Sequence, residues 1–129
     1  MPIRVLLIDD DLHTRIILEE VLTNAGYEVE CAKSGEEGVM IARNDPPDVV
    51  LIDYMLPRID GIRVAESLRR DPDMHELPIV AMTAADLSHT DRERWKAATS
   101  VIVPKGSPAV LLEALRQAVG DKASGALGH

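Results

Sequence analysis

The sequence predicts one α/β domain, a parallel five-stranded sheet covered by helices on both faces. Three observations lead there. Four short apolar runs, Ile3 to Ile8, Val49 to Ile52, Ile79 to Met82 and Val101 to Val103, are too short for helices and rich in Val and Ile, the signature of buried strands. Amphipathic stretches separate them, so strand and helix alternate five times. The chain has 129 residues, 46% of them apolar, enough for a single core.

The first strand, Ile3 to Ile8, leads to a helix over Thr14 to Ala25 with Ile17, Leu18, Val21 and Leu22 on one face. Asn24-Ala25-Gly26 stops it. The second strand, Glu28 to Ala32, alternates polar with apolar and belongs nearer the sheet edge. Ser34 and Glu37 form a capping box for a helix to Arg43 that places Val39, Met40 and Ala42 together. After the third strand, Asp60-Gly61 reads as a turn and helix start, and Ile62 to Arg70 is helical through Val64, Ala65 and Leu68. After the fourth strand, Leu87 to Ala98 is the most weakly patterned helix, and Trp95 within it is either a core anchor or an exposed contact. Ser107 caps and Pro108 begins the last helix, expected to run to about Val119. Residues 1–120 form the expected domain, and 121–129 a flexible tail or the start of a linker.

Composition excludes several classes of function. A net charge of −8 disfavours direct contact with nucleic acid or an anionic membrane. Cys31 is the single cysteine, which excludes an intrachain disulfide and a thiolate zinc cluster and fits a reducing, cytoplasmic setting. The apolar run near the N-terminus is far shorter than a signal-peptide core or membrane span. Tyr27, Tyr54 and Trp95 are the only aromatics, too few for a nucleic-acid stacking surface.

Ligands of parallel sheets gather at the carboxyl ends of the strands. There the sequence places Asp9, Asp10 and Asp11 after the first strand, Asp53 after the third, Thr83 after the fourth and Lys105 after the fifth. Acids sharing one cleft repel unless a cation compensates them. Hard oxygen donors without a thiol or a nearby imidazole suit Mg²⁺, and the twelve-residue calcium loop is absent. A metal, a nucleophilic carboxylate, a hydroxyl and a cation together can place a phosphoryl group on Asp53, with Lys105 and Thr83 on its oxygens and water as a slow second nucleophile. His13, His75, His89 and His129 have no ligand spacing to one another and are expected to face solvent.

Four segments in order carry a resemblance: Val5-Leu6-Leu7-Ile8-Asp9-Asp10-Asp11, Leu51-Ile52-Asp53-Tyr54-Met55-Leu56-Pro57-Arg58-Ile59-Asp60-Gly61, Val80-Ala81-Met82-Thr83-Ala84 and Val103-Pro104-Lys105. The chain resembles response-regulator receiver domains of two-component signalling from residue 3 to about 119. The resemblance implies a CheY-like, flavodoxin-like (βα)5 three-layer sandwich with strand order 2-1-3-4-5. It implies that Asp53 accepts phosphate from a sensor histidine kinase or histidine phosphotransfer protein. It also implies that Asp9, Asp10, Asp53 and the backbone carbonyl of Met55 hold Mg²⁺, with Asp11 a flanking acid. Thr83 and Lys105 would bind the phosphoryl oxygens, and Thr83 would relay the change to the surface around the fourth helix. Output would pass to a downstream protein or a C-terminal effector domain, with a homodimer as a further option.

The match departs from the family at named positions. Ile102 stands where an aromatic switch is common, and Gly106 follows Lys105 where proline is common. Met55 and Ala85, two residues beyond Asp53 and Thr83, cannot orient water by hydrogen bonding, so self-dephosphorylation is expected to be modest. Ala84 leaves room for a phosphodonor. Competing readings are a small phosphohydrolase with Asp53 as nucleophile, a flavodoxin-like cofactor binder, and a receiver fold that signals without phosphate. The first lacks a second acid to protonate a leaving group, and the second lacks a phosphate loop after the first strand.

Overall fold

Each apolar run becomes a strand because alternate side chains enter two different cores. The computed structural model describes residues 2–83 and 86–126. Its strands are β1 (Arg4–Ile8), β2 (Glu28–Ala32), β3 (Val49–Asp53), β4 (Ile79–Thr83) and β5 (Val101–Pro104). The helices are α1 (Leu12–Asn24), α2 (Gly35–Asn44), α3 (Gly61–Arg70), α4 (His89–Ala98) and α5 (Pro108–Ala126). The sheet is parallel throughout, in the order β2-β1-β3-β4-β5. It is the expected doubly wound sandwich.

Leu6, Ile8, Val50, Ile52, Ile79 and Ala81 point to the face covered by α2, α3 and α4. Val5, Leu7, Val49, Leu51, Val80 and Met82 point to the face covered by α1 and α5. Period-two alternation on a sheet covered on both sides therefore reads in sequence as an unbroken apolar run. The edge strand β2 alternates exposed and half-buried residues until Ala32, as its polar-apolar pattern anticipates.

Local chemistry sets the helix ends. The Ser34 hydroxyl accepts the Glu37 N–H at 3.1 Å, while the Glu37 carboxylate reaches the Lys33 N–H, one residue before the cap. Asp60 caps α3 by accepting the Arg63 N–H at 3.0 Å, and the Ser88 hydroxyl caps α4 through the Asp91 N–H. Asp11 caps α1: its carboxylate accepts both the N–H and the hydroxyl of Thr14, so α1 begins at Leu12 rather than Thr14. Helix α5 continues past the expected end near Val119 to Ala126, and no proline interrupts it.

Two side chains assigned to buried faces turn outward. Ile17 is 57% exposed and Met40 62% exposed. Both flank the true contact stripes, set in α1 by Leu18 and Leu22 and in α2 by Gly35, Gly38 and Ala42. Trp95 is fully buried, which decides for a core anchor. His13, His75 and His89 are exposed as expected, while Ala84, Ala85 and His129 lie outside the described residues.

Arg69 pins the far end of α4. Its guanidinium donates to the carbonyls of Ala98 at 2.9 Å and His75 at 3.1 Å, and to that of Leu77. Arg69→Met should keep much of the stem packing but leave the part-buried carbonyls of Ala98 and Leu77 unpaired. The expected loss is about 2–3 kcal/mol, read by urea unfolding.

Candidate active site

The parallel register brings four strand ends together. Ile8 pairs with Ile52, Asp53 with Met82 and Thr83 with Pro104, so the residues just beyond share one edge. Carboxylate oxygens of Asp9, Asp10 and Asp53 lie within 4.8 Å of one another. Asp9 and Asp53 are buried and Asp10 is exposed, an opening through which a ligand can approach. Thr83 is buried at the same edge, and Lys105, whose backbone N–H donates to the Thr83 carbonyl, reaches back over the acids.

Lys105 is the centre of the electrostatics. Its Nζ lies 3.0 Å from Asp53 Oδ2 and 3.1 Å from Asp9 Oδ2. Burial opposes the ammonium's charge, but the hydrogen bond to Asp53 and the fields of both carboxylates outweigh it and hold the pKa above the ordinary lysine value. For Asp53 burial dominates, aided by the charge of Asp9, and lifts the carboxyl above the usual range despite the Lys105 bond. Asp9 is positioned from both ends: its Oδ1 accepts the Asp11 N–H at 2.9 Å, and its carbonyl accepts from Arg15.

The donor set fits a divalent cation. Asp9 Oδ2 is buried and, although near Lys105, has no partner in hydrogen-bond geometry among the described residues. A buried carboxylate oxygen left in that condition favours a cation that can approach it directly. The cluster can therefore coordinate a divalent metal through oxygens alone. Asp11, read from sequence as a flanking acid, is occupied as the α1 cap; its hydrogen bonds to Thr14 hold its pKa below the ordinary value.

The floor of the site is tight. A Cβ on Gly61 would lie 2.3 Å from the Asp53 carbonyl oxygen and 2.9 Å from Trp95 Cη2. Gly61→Ala would gain about 1 kcal/mol of helix propensity. A clash with backbone and a buried ring outweighs that gain, and the expected net loss is about 1–3 kcal/mol in urea unfolding. Gly106, after Lys105, has φ of 104°, which proline cannot adopt, so this turn is built on glycine's freedom.

A doubly wound sheet with an acid cluster and a lysine at its carboxyl edge defines the class, a phosphoacceptor signalling domain with weak intrinsic phosphorylation and dephosphorylation chemistry rather than enzymatic turnover. The response regulator receiver domain family matches residues 5–116, and the chain belongs to it. The chain is similar to the response regulator MprA of Mycolicibacterium vanbaalenii, 43% identical over 86 residues that cover 67% of this chain and 36% of that protein. It thus spans about a third of the length of the curated relatives it matches. Among solved structures, chemotaxis protein CheY4 of Vibrio cholerae has 28% identity and a TM-score of 0.84, with 92% of this chain and 99% of that one covered. The receiver domain of sensor histidine kinase PA1611 from Pseudomonas aeruginosa also has 28% identity and a TM-score of 0.84, covering 93% and 99%, and was solved with magnesium in its active-site cleft. Among the described residues no helix is long and apolar enough to cross a membrane.

Proposed function

We propose that Asp53 accepts a phosphoryl group from a partner's phosphohistidine, with Mg²⁺ held by Asp9, Asp10, Asp53 and the Met55 carbonyl. The observation that carries this reading is Lys105 bridging two buried carboxylates while a third acid opens the cluster to solvent. Mg²⁺, when bound, supplies positive charge that offsets the acids and the phosphoryl oxygens. An Asp53 carboxylate oxygen attacks phosphorus, the P–N bond to the imidazole breaks, and the leaving nitrogen keeps the electron pair. Lys105 can hold one equatorial oxygen by its ammonium, and the Thr83 hydroxyl another. Later attack by water on the same phosphorus returns Asp53 and inorganic phosphate.

The partner needs a surface beside Asp53. Leu12, Ile16 and Ile17 of α1 and Val110 of α5 are exposed apolar side chains. Ile17 lines a cleft of about 230 Å³ together with Thr14, Leu18, Lys105 and Leu111. An apolar helix carrying the phosphohistidine fits this edge. Met55, 62% exposed and without a hydrogen-bonding side chain, supports modest self-dephosphorylation.

Intact mass after incubation with acetyl phosphate tests the reading. The expected result is one addition of about 80 Da that requires Mg²⁺ and is absent from Asp53→Asn. An addition that persists in Asp53→Asn, or none in the wild type while Mg²⁺ binds, would overturn it.

A further inference from the structure

The phosphorylation state of Asp53 needs a route to the surface, and Ile102 offers no aromatic ring that could swing. Ile102 is instead half-buried against the core under α4. Tyr54, the residue directly after Asp53, makes the bridge that is present. Its ring lies 6.2 Å from that of Trp95, tilted by 57°. Its hydroxyl donates to Asp91 Oδ2 at 3.2 Å, crossing from the site loop to the first turn of α4.

The backbone beneath is fixed at several points. The Tyr54 N–H donates to Met82, and its carbonyl accepts the N–H groups of Leu56 and Gly61. A Cβ on Gly61 would run into both the Asp53 carbonyl and the Trp95 ring, so backbone and ring close on this one glycine and a shift at Asp53 has little free space to dissipate in. Trp95 is fully buried, yet among the described residues its indole N–H has no hydrogen-bond partner. That unpaired donor makes the resting packing of α4 improvable, which a two-position element requires. On its outer side α4 is tied to α3 by Arg94 and Glu66 at 2.8 Å, and Arg94 also faces Asp91 at 3.7 Å.

We propose that Tyr54 and Trp95 carry the phosphorylation state of Asp53 to α4: phosphorylation moves the Tyr54 loop, breaks the Tyr54–Asp91 hydrogen bond and repacks α4 over Trp95. Tyr54 is a positioning residue in this account. The inference rests on phosphorylation of Asp53 and names the path by which that event leaves the site.

Trp95 is the chain's only tryptophan, so its emission reports the step directly. The full chain is incubated with Mg²⁺ and acetyl phosphate, and intact mass, Trp95 emission and amide exchange in α4 are read on the same sample. The expected wild-type result is an emission shift proportional to the phosphorylated fraction, with α4 amides exchanging about tenfold faster. Tyr54→Phe should take up phosphate normally but lose the difference in α4 exchange between the two states. Asp91→Ala should lose it too, while Asp91→Asn, which keeps an acceptor oxygen, should retain it. Phosphorylation with unchanged emission, or with the same α4 response in Tyr54→Phe and wild type, would overturn the route and leave phosphoacceptance standing. Failure of the wild type to gain mass would remove phosphoacceptance and the route together.

Discussion

Lys105→Met is expected to lower Mg²⁺-dependent phosphoryl uptake by about 10²–10³-fold, because it removes the fixed cation that faces the incoming phosphoryl oxygens. The same change should cost about 3–5 kcal/mol of stability when no divalent metal is present, since Asp9 and Asp53 would remain buried without a counter-charge. The pH dependence follows from Asp53. Burial raises its carboxyl above the ordinary 3.8, so the folded state keeps a proton that the unfolded state has released. Stability without metal therefore falls as pH rises from about 4 through the folded value. Removing the Lys105 ammonium raises that carboxyl further, so the variant should show a steeper and wider fall than wild type. Urea unfolding in EDTA across this range checks it, and parallel profiles for the two proteins would contradict the assignment of Lys105 as the compensating charge.

Trp95→Ala should be the most damaging core substitution. Trp95 is the largest fully buried side chain among the described residues; its ring packs against Tyr54 and reaches the space that Gly61 leaves open under the site. Large-to-small replacement of a buried tryptophan costs about 3–5 kcal/mol, a large share of the 5–15 kcal/mol typical of a domain. Phosphoryl uptake should fall with it, because the cavity opens directly beneath the Asp53 backbone. Trp95→Phe refills most of the space and should recover over half of the loss. Denaturant midpoints and acetyl phosphate uptake measured on both variants decide the point; equal midpoints for Trp95→Ala and wild type would remove Trp95 as an anchor.

The strands and the placement of the acids, Thr83 and Lys105 at their ends were legible because both depend on short-range signals. An unbroken Val, Leu and Ile run ending in Asp53 says buried strand and polar edge at once. Once the sheet is parallel, Asp9, Thr83 and Lys105 have one place to meet. Helix faces were less legible. A 100° stripe tells which residues are central, as with Leu18 and Leu22, but not whether Ile17 or Met40 at its margin is covered. Asp11 looked like one acid among three, and only the start of α1 showed that its carboxylate is engaged by Thr14.

Arg69 was invisible in sequence for a different reason. Arg69-Arg70 ends an amphipathic helix, where a solvated charge is the ordinary outcome. The carbonyls that Arg69 clamps come from the following loop and the end of α4, contacts made only by tertiary folding. Trp95 had a similar ambiguity, since α4 carries too few apolar residues to define an inward face.

Asp53, rather than its neighbouring acids, is the proposed nucleophile. Borohydride reduction of the acetyl phosphate-treated protein, followed by peptide mass mapping, reads the residue itself. Homoserine is expected at position 53, about 14 Da lighter than aspartate, formed only when Mg²⁺ was present. Homoserine at position 9 or 10, or an unmodified chain with Mg²⁺ bound, would contradict it.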